Sequence, residues 1–158
     1  MNTNIRNIPD SFSVMADALS NAMNASTDVA LILWNTDVID LMSFVLLRRN
    51  VRSRGIEPSE GPERVSDFIR SCSPAVVVFD LDPPYTRSAG DALYLLDRFP
   101  NHPFVMTCAD RMLALNSASW LSCHPLFQKP YQLDDIAQTL HSMVIRRASK
   151  LVTLPLAR

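Results

Sequence analysis

The stretch Val76-Val77-Val78-Phe79-Asp80-Leu81-Asp82-Pro83-Pro84 decides the fold. Its β-branched and aromatic run, bounded by Pro74 and Pro83, reads as a strand covered on both faces, as in a parallel sheet. In open α/β sheets, ligand chemistry collects just outside the carboxyl ends of such strands. Asp80 is therefore expected at the mouth of a crevice, and the question becomes which residues from other strand ends join it there.

Working outward, Val29 to Trp34 reads as a first buried strand ending in Asn35-Thr36-Asp37, with a helix over about 38–49 that Thr36 or Asp37 can cap. Residues 51–56 supply a weak second strand, and Pro62 opens a helix to about Cys72. After the organising strand come a helix over about 88–99, a strand at Pro103 to Thr107, and a short helix over about 110–118. A last strand at Leu126-Phe127 precedes Lys129-Pro130, and a final helix runs over about 133–147. Strands alternating with helices imply β-α-β units and a parallel sheet.

The chain of 158 residues, 47% of them hydrophobic, suits one domain with its own core. The expected division is an N-terminal extension over 1–27, a main domain over 28–148 and a tail over 149–158. In the extension, Phe12, Met15, Leu19 and Met23 recur at helical spacing behind Ser11, a possible N-cap. That apolar stripe has two outlets, the chain's own domain or a second copy in a homodimer. Fifteen Lys and Arg nearly balance sixteen Asp and Glu, so no basic surface points to nucleic acid or anionic lipid. Three scattered cysteines form neither a disulfide framework nor a zinc motif, and no apolar segment is long enough to span a bilayer. The expectation is a cytoplasmic protein with no nucleic-acid or membrane partner.

Four strand ends face one crevice: Asn35-Thr36-Asp37, Asp80, Thr107 and Lys129. Carboxylate, hydroxyl and ammonium together suit the handling of a phosphoryl group, because an aspartate can accept phosphate as an acyl phosphate whose charge then needs cations and donors. The arrangement resembles the receiver domains of two-component response regulators over about 29–147. It rests on the apolar strand into Asp80 with Pro84 four residues on, on Thr107 closing Pro103-Phe104-Val105-Met106-Thr107, and on Phe127-Gln128-Lys129-Pro130-Tyr131. Thr107 and Lys129 are 129 − 107 = 22 positions apart, a separation that fits the family, and Lys129 and Lys150 are the only lysines.

The resemblance implies a flavodoxin-like (CheY-like), doubly wound, five-stranded parallel sheet in order 2-1-3-4-5 with helices on both faces. It implies Asp80 as phosphoacceptor, Thr107 bonding a phosphate oxygen, Lys129 pairing with the acyl phosphate, and a cis Lys129-Pro130 bond. It also implies a histidine kinase or phosphotransfer protein as donor, a downstream protein partner, and no enzymatic activity of its own. Two positions depart from the family. Asn35 and Thr36 stand where it has an acidic pair, leaving Asp37 one place beyond; Asp80, Asp37 and Asp82 are then the candidate Mg²⁺ ligands. Asp82 is open to two readings, restoring metal-binding charge or repelling phosphate. Leu126 stands where the family has an aromatic switch residue, and Tyr131 is read as structural.

Tyr85 and a turn at Gly90 are expected to flank the pocket mouth, Cys108 to form a pocket wall, Trp120 to pack near the last crossover, and His102, His124 and His141 to lie apart at the surface. The function expected is phosphorelay signalling through Asp80. The alternative is a phosphorylation-independent pseudo-receiver acting as an interaction or dimerisation module.

Overall fold

The computed structural model describes residues 26–152. The expected helix over 11–23 therefore lies outside the described residues, as does the end of the tail. The elements are β1 (Val29–Ile32), α1 (Thr36–Leu47), β2 (Ser53–Ile56), α2 (Pro62–Cys72), β3 (Val76–Leu81), α3 (Tyr85–Arg98), β4 (Phe104–Cys108), α4 (Arg111–Ser117), β5 (Leu126–Gln128) and α5 (Leu133–Val152). Short 3-10 turns at Pro58–Glu60 and Ser119–Cys123 complete the connections.

All five strands run parallel in the order β2-β1-β3-β4-β5, the doubly wound arrangement. Because successive side chains of a strand alternate between faces, β3 feeds two cores. Val77, Phe79 and Leu81 pack with Val65 and Ile69 of α2, with Ala92 and Leu95 of α3, and with Ala114 of α4. Val76 and Val78 pack on the other side with Ile39, Met42 and Leu46 of α1 and Ile136, Ala137 and Leu140 of α5. All six residues of β3 are buried, which is why five of them are apolar and Asp80 is the exception.

The element bounds correct the sequence reading in several places. α1 starts two residues early, and its N-cap is Asn35, not Thr36 or Asp37: the Asn35 side chain accepts hydrogen bonds from the amides of Asp37 and Val38. Val51 belongs to the turn that closes α1, with its amide bonded to Leu46 O, so β2 begins only at Ser53. α3 begins directly after the prolines at Tyr85, and Gly90 lies inside it, not in a turn. α5 continues past Arg147 to Val152, since nothing before Pro155 interrupts it. Among the described residues no helix is long and apolar enough to cross a membrane.

Candidate functional site

Strand register brings the site together. Asp80 is paired with Thr107 across β3 and β4, and Thr107 with Phe127 across β4 and β5, so Lys129 follows two positions beyond. The Lys129 amide donates to Cys108 O at 2.8 Å, which carries the backbone past the end of β5, and the Lys129-Pro130 bond is cis, as the resemblance implies. The Pro83-Pro84 bond is cis too, which the sequence reading did not foresee.

Asp80 is only 3% exposed, and both of its carboxylate oxygens are engaged. The Thr107 hydroxyl donates to Oδ1 at 2.7 Å, and the Lys129 ammonium reaches Oδ2 at 2.5 Å. Thr107 is fully buried, whereas the Lys129 side chain is 41% exposed, so the ion pair has one partner in the core and one at the surface. A carboxylate this deep is tolerable because it is both paired and hydrogen-bonded. From the β1 side, Trp34 Nε1 donates to the Asp80 carbonyl at 3.2 Å. The three residues assigned to phosphoryl handling thus meet at one carboxylate.

The loops around it are tied to one another. Tyr85 is buried, and its hydroxyl accepts from the Asp110 amide at 2.8 Å, joining the loop after β3 to the loop after β4; Asp110 in turn caps α4. Tyr85 thus shapes the mouth, while Gly90 is an exposed position within α3. Ser88 Oγ donates to the Asp82 carbonyl at 2.9 Å and fixes the turn through the two prolines.

Tyr131 is a partly buried packing residue, as expected of a structural position. Burial pushes its hydroxyl up to about 12, the Asp80 charge adds to that, and the neighbouring Thr107 opposes it. The ring packs edge-on against Phe127 and on the core beneath α1 and α5. Burial also raises the Cys108 thiol, with Arg111 opposing, so it stays protonated and serves as a wall. His102 and His124 are both pushed down by desolvation and are half-buried rather than fully at the surface.

The proposed metal ligands are less concentrated. Asp37 is exposed on the first turn of α1, and Asp82 is exposed in a cleft of about 160 Å³ with Trp34, Arg87 and Asp91, a cleft that Asp80 does not line. Among the described residues no three His, Cys, Asp or Glu are grouped so as to hold a metal ion. The Asn35 amide oxygen is committed to its cap and both Asp80 oxygens to Thr107 and Lys129. Asp80, Asp37 and Asp82 are thus not gathered into one donor set among the described residues.

No protein-family model matches the sequence, and no curated protein matches it. Solved structures do match. The signal receiver domain of a LuxO repressor protein from Vibrio parahaemolyticus is 16% identical, with a TM-score of 0.63 over 82% of this chain and 98% of that one. A CheY-like response regulator receiver domain protein from Methanospirillum hungatei is 11% identical, with a TM-score of 0.63 over 80% and 99%. A response regulator receiver domain protein from Clostridium thermocellum is 13% identical, with a TM-score of 0.61 over 80% and 99%. The chain has the receiver-domain fold over most of its length.

Proposed function

We propose that the protein is a phosphorelay signalling domain that accepts a phosphoryl group on Asp80 from a histidine kinase or phosphotransfer protein. The observation that carries this reading is the buried Asp80 carboxylate gripped by Thr107 and Lys129 at the carboxyl ends of β3, β4 and β5. In the transfer, an Asp80 carboxylate oxygen forms a bond to phosphorus, and the bond from phosphorus to the donor atom breaks, its electron pair leaving with the donor. Thr107 then donates to a phosphate oxygen, and the Lys129 ammonium offsets the charge that the new group brings. The output is contact with a downstream protein, because a phosphoryl group acts by biasing an element with two arrangements.

Magnesium would supply charge neutralisation to the transferring group. In this chain Lys129 provides a cation in direct contact with the acceptor, and the reading assigns no step to a metal. The second reading, a phosphorylation-independent pseudo-receiver used for interaction or dimerisation, is favoured by the Asn35 cap, which occupies the side chain standing at an acidic position of the family.

The test is intact-mass measurement after incubation with a small-molecule phosphodonor, with and without Mg²⁺, beside Asp80→Asn. One added phosphoryl group on the parent and none on the variant is the expected result. No addition under conditions that label an ordinary receiver domain, with a histidine kinase panel also failing, overturns the proposal in favour of the pseudo-receiver.

A further inference from the structure

α1 presents an apolar face to solvent. Ile39, Met42 and Leu46 point into the core, but Leu41, Phe44 and Leu47, three residues apart along the opposite side, are 50%, 59% and 61% exposed. A surface helix of a soluble domain normally shows water a polar face, and a contiguous apolar patch marks something that docks.

The described chain begins at the foot of this helix. Arg52, five positions past Leu47, donates from its guanidinium to Ser26 Oγ at 2.9 Å, and its carbonyl accepts from the Asp28 amide at 2.9 Å. Residues 11–23 carry the stripe Phe12, Met15, Leu19 and Met23, which matches the Leu41, Phe44 and Leu47 stripe in kind and in helical spacing. As a helix, residues 11–23 would span about 20 Å, close to the length of the 12-residue α1. The reach from Met23 to Ser26 is about 10 Å.

We infer that residues 11–23 lay their apolar stripe over Leu41, Phe44 and Leu47 of α1 within the same chain. Chain direction fixes the orientation. The segment leads down into Ser26 at the foot of α1, and α1 itself runs down from the crevice end, so the two lie side by side in parallel, Met23 near Leu47 and Phe12 toward the crevice. The tether decides between this chain and a second copy. A short flexible link gives an effective concentration of about a millimolar or more, so a second copy at micromolar concentration is outcompeted.

The test is disulfide trapping in the full chain. Cys72 and Cys108 are buried and Cys123 is exposed, so the background is Cys123→Ser. Met23→Cys is paired with Leu47→Cys, and as control with Met112→Cys on α4, on the other face of the sheet. Under mild oxidation at micromolar protein, the first pair is expected to close an internal bond about tenfold faster than the control, following its higher effective concentration. A bond between two copies would make a second copy the occupant, and equal rates would leave the face to a separate protein; either overturns the inference. Phe44→Asp, at an exposed position that leaves the domain folded, gives an independent reading. It is expected to speed chymotryptic cleavage after Phe12 several-fold by releasing the segment, and an unchanged rate counts against docking.

Discussion

Lys129 and Asp80 are 49 positions apart, and the contact between them closes only after five strands are in register. Because Asp80 is almost fully buried, removing its cation leaves a charge with one hydrogen bond in place of two. Lys129→Met is expected to lower stability by about 1.5–3 kcal/mol, the range for a hydrogen bond to a charged group. Urea unfolding of Lys129→Met, Asp80→Asn and the double variant checks this, since the cycle isolates the coupling; a coupling near zero would mean that the pair holds nothing together. Tyr131 gives a pH test. Its hydroxyl is raised from 10.0 to about 12 in the folded state, so between those values the unfolded chain has released a proton that the folded chain still holds. Stability from this group is thus fully present below about pH 10 and is lost as pH rises toward 12. Tyr131→Phe is expected to flatten that alkaline limb in thermal unfolding followed by circular dichroism, and an unchanged slope would contradict the burial of the hydroxyl. Asp80, Thr107 and Lys129 were legible in the sequence because each ends an apolar strand, where chemistry is exposed by construction. Tyr131 was legible as a packing residue, and it does pack on Phe127 and the core. Asn35 reads as a lost ligand in one dimension and is a helix cap in three.

At the level of elements, β2 is the least predictable part of the sheet and also the tightest. It carries Ser53-Arg54-Gly55-Ile56, with no apolar run to announce it, because it is an edge strand. Gly55 is needed there by close approach: a Cβ on it would overlap Ile39 Cγ2 of α1. Gly55→Ala is expected to destabilise the fold by about 1–3 kcal/mol through overpacking, measured as a lower midpoint in denaturant; a neutral result would mean that α1 can move away from the edge. The end of α2 stores strain of another kind. Ser73, its C-cap, is held at φ 45° and ψ 52°, the left-handed region where glycine is at ease. Ser73→Gly is expected to gain about 0.5–1 kcal/mol in the same assay. The buried strands were readable from composition, and so were the starts of α2 at Pro62 and α5 at Leu133; the start of α1 was not, since its cap is Asn35 rather than Thr36 or Asp37, a choice made by backbone geometry alone.

For the whole molecule, the strand order and two-faced core follow from the alternation of short apolar runs with amphipathic helices, which leaves the parallel doubly wound sheet as the packing that buries both kinds of face. That architecture then fixes where the candidate site lies, because β3, β4 and β5 are adjacent and their carboxyl ends open on one crevice. The fold likeness to receiver domains at 11–16% identity shows how little sequence this architecture requires. What the fold does not dictate is the identity of the acceptor, since Asp37, Asp80 and Asp82 all stand near strand ends. The direct measurement is borohydride reduction of the protein after treatment with a phosphodonor, which converts an acyl phosphate on aspartate to homoserine, followed by peptide mass spectrometry. The account predicts homoserine at Asp80 and nowhere else. Homoserine at Asp37 or Asp82, or at no position in a protein that a cognate kinase has acted on, would contradict it.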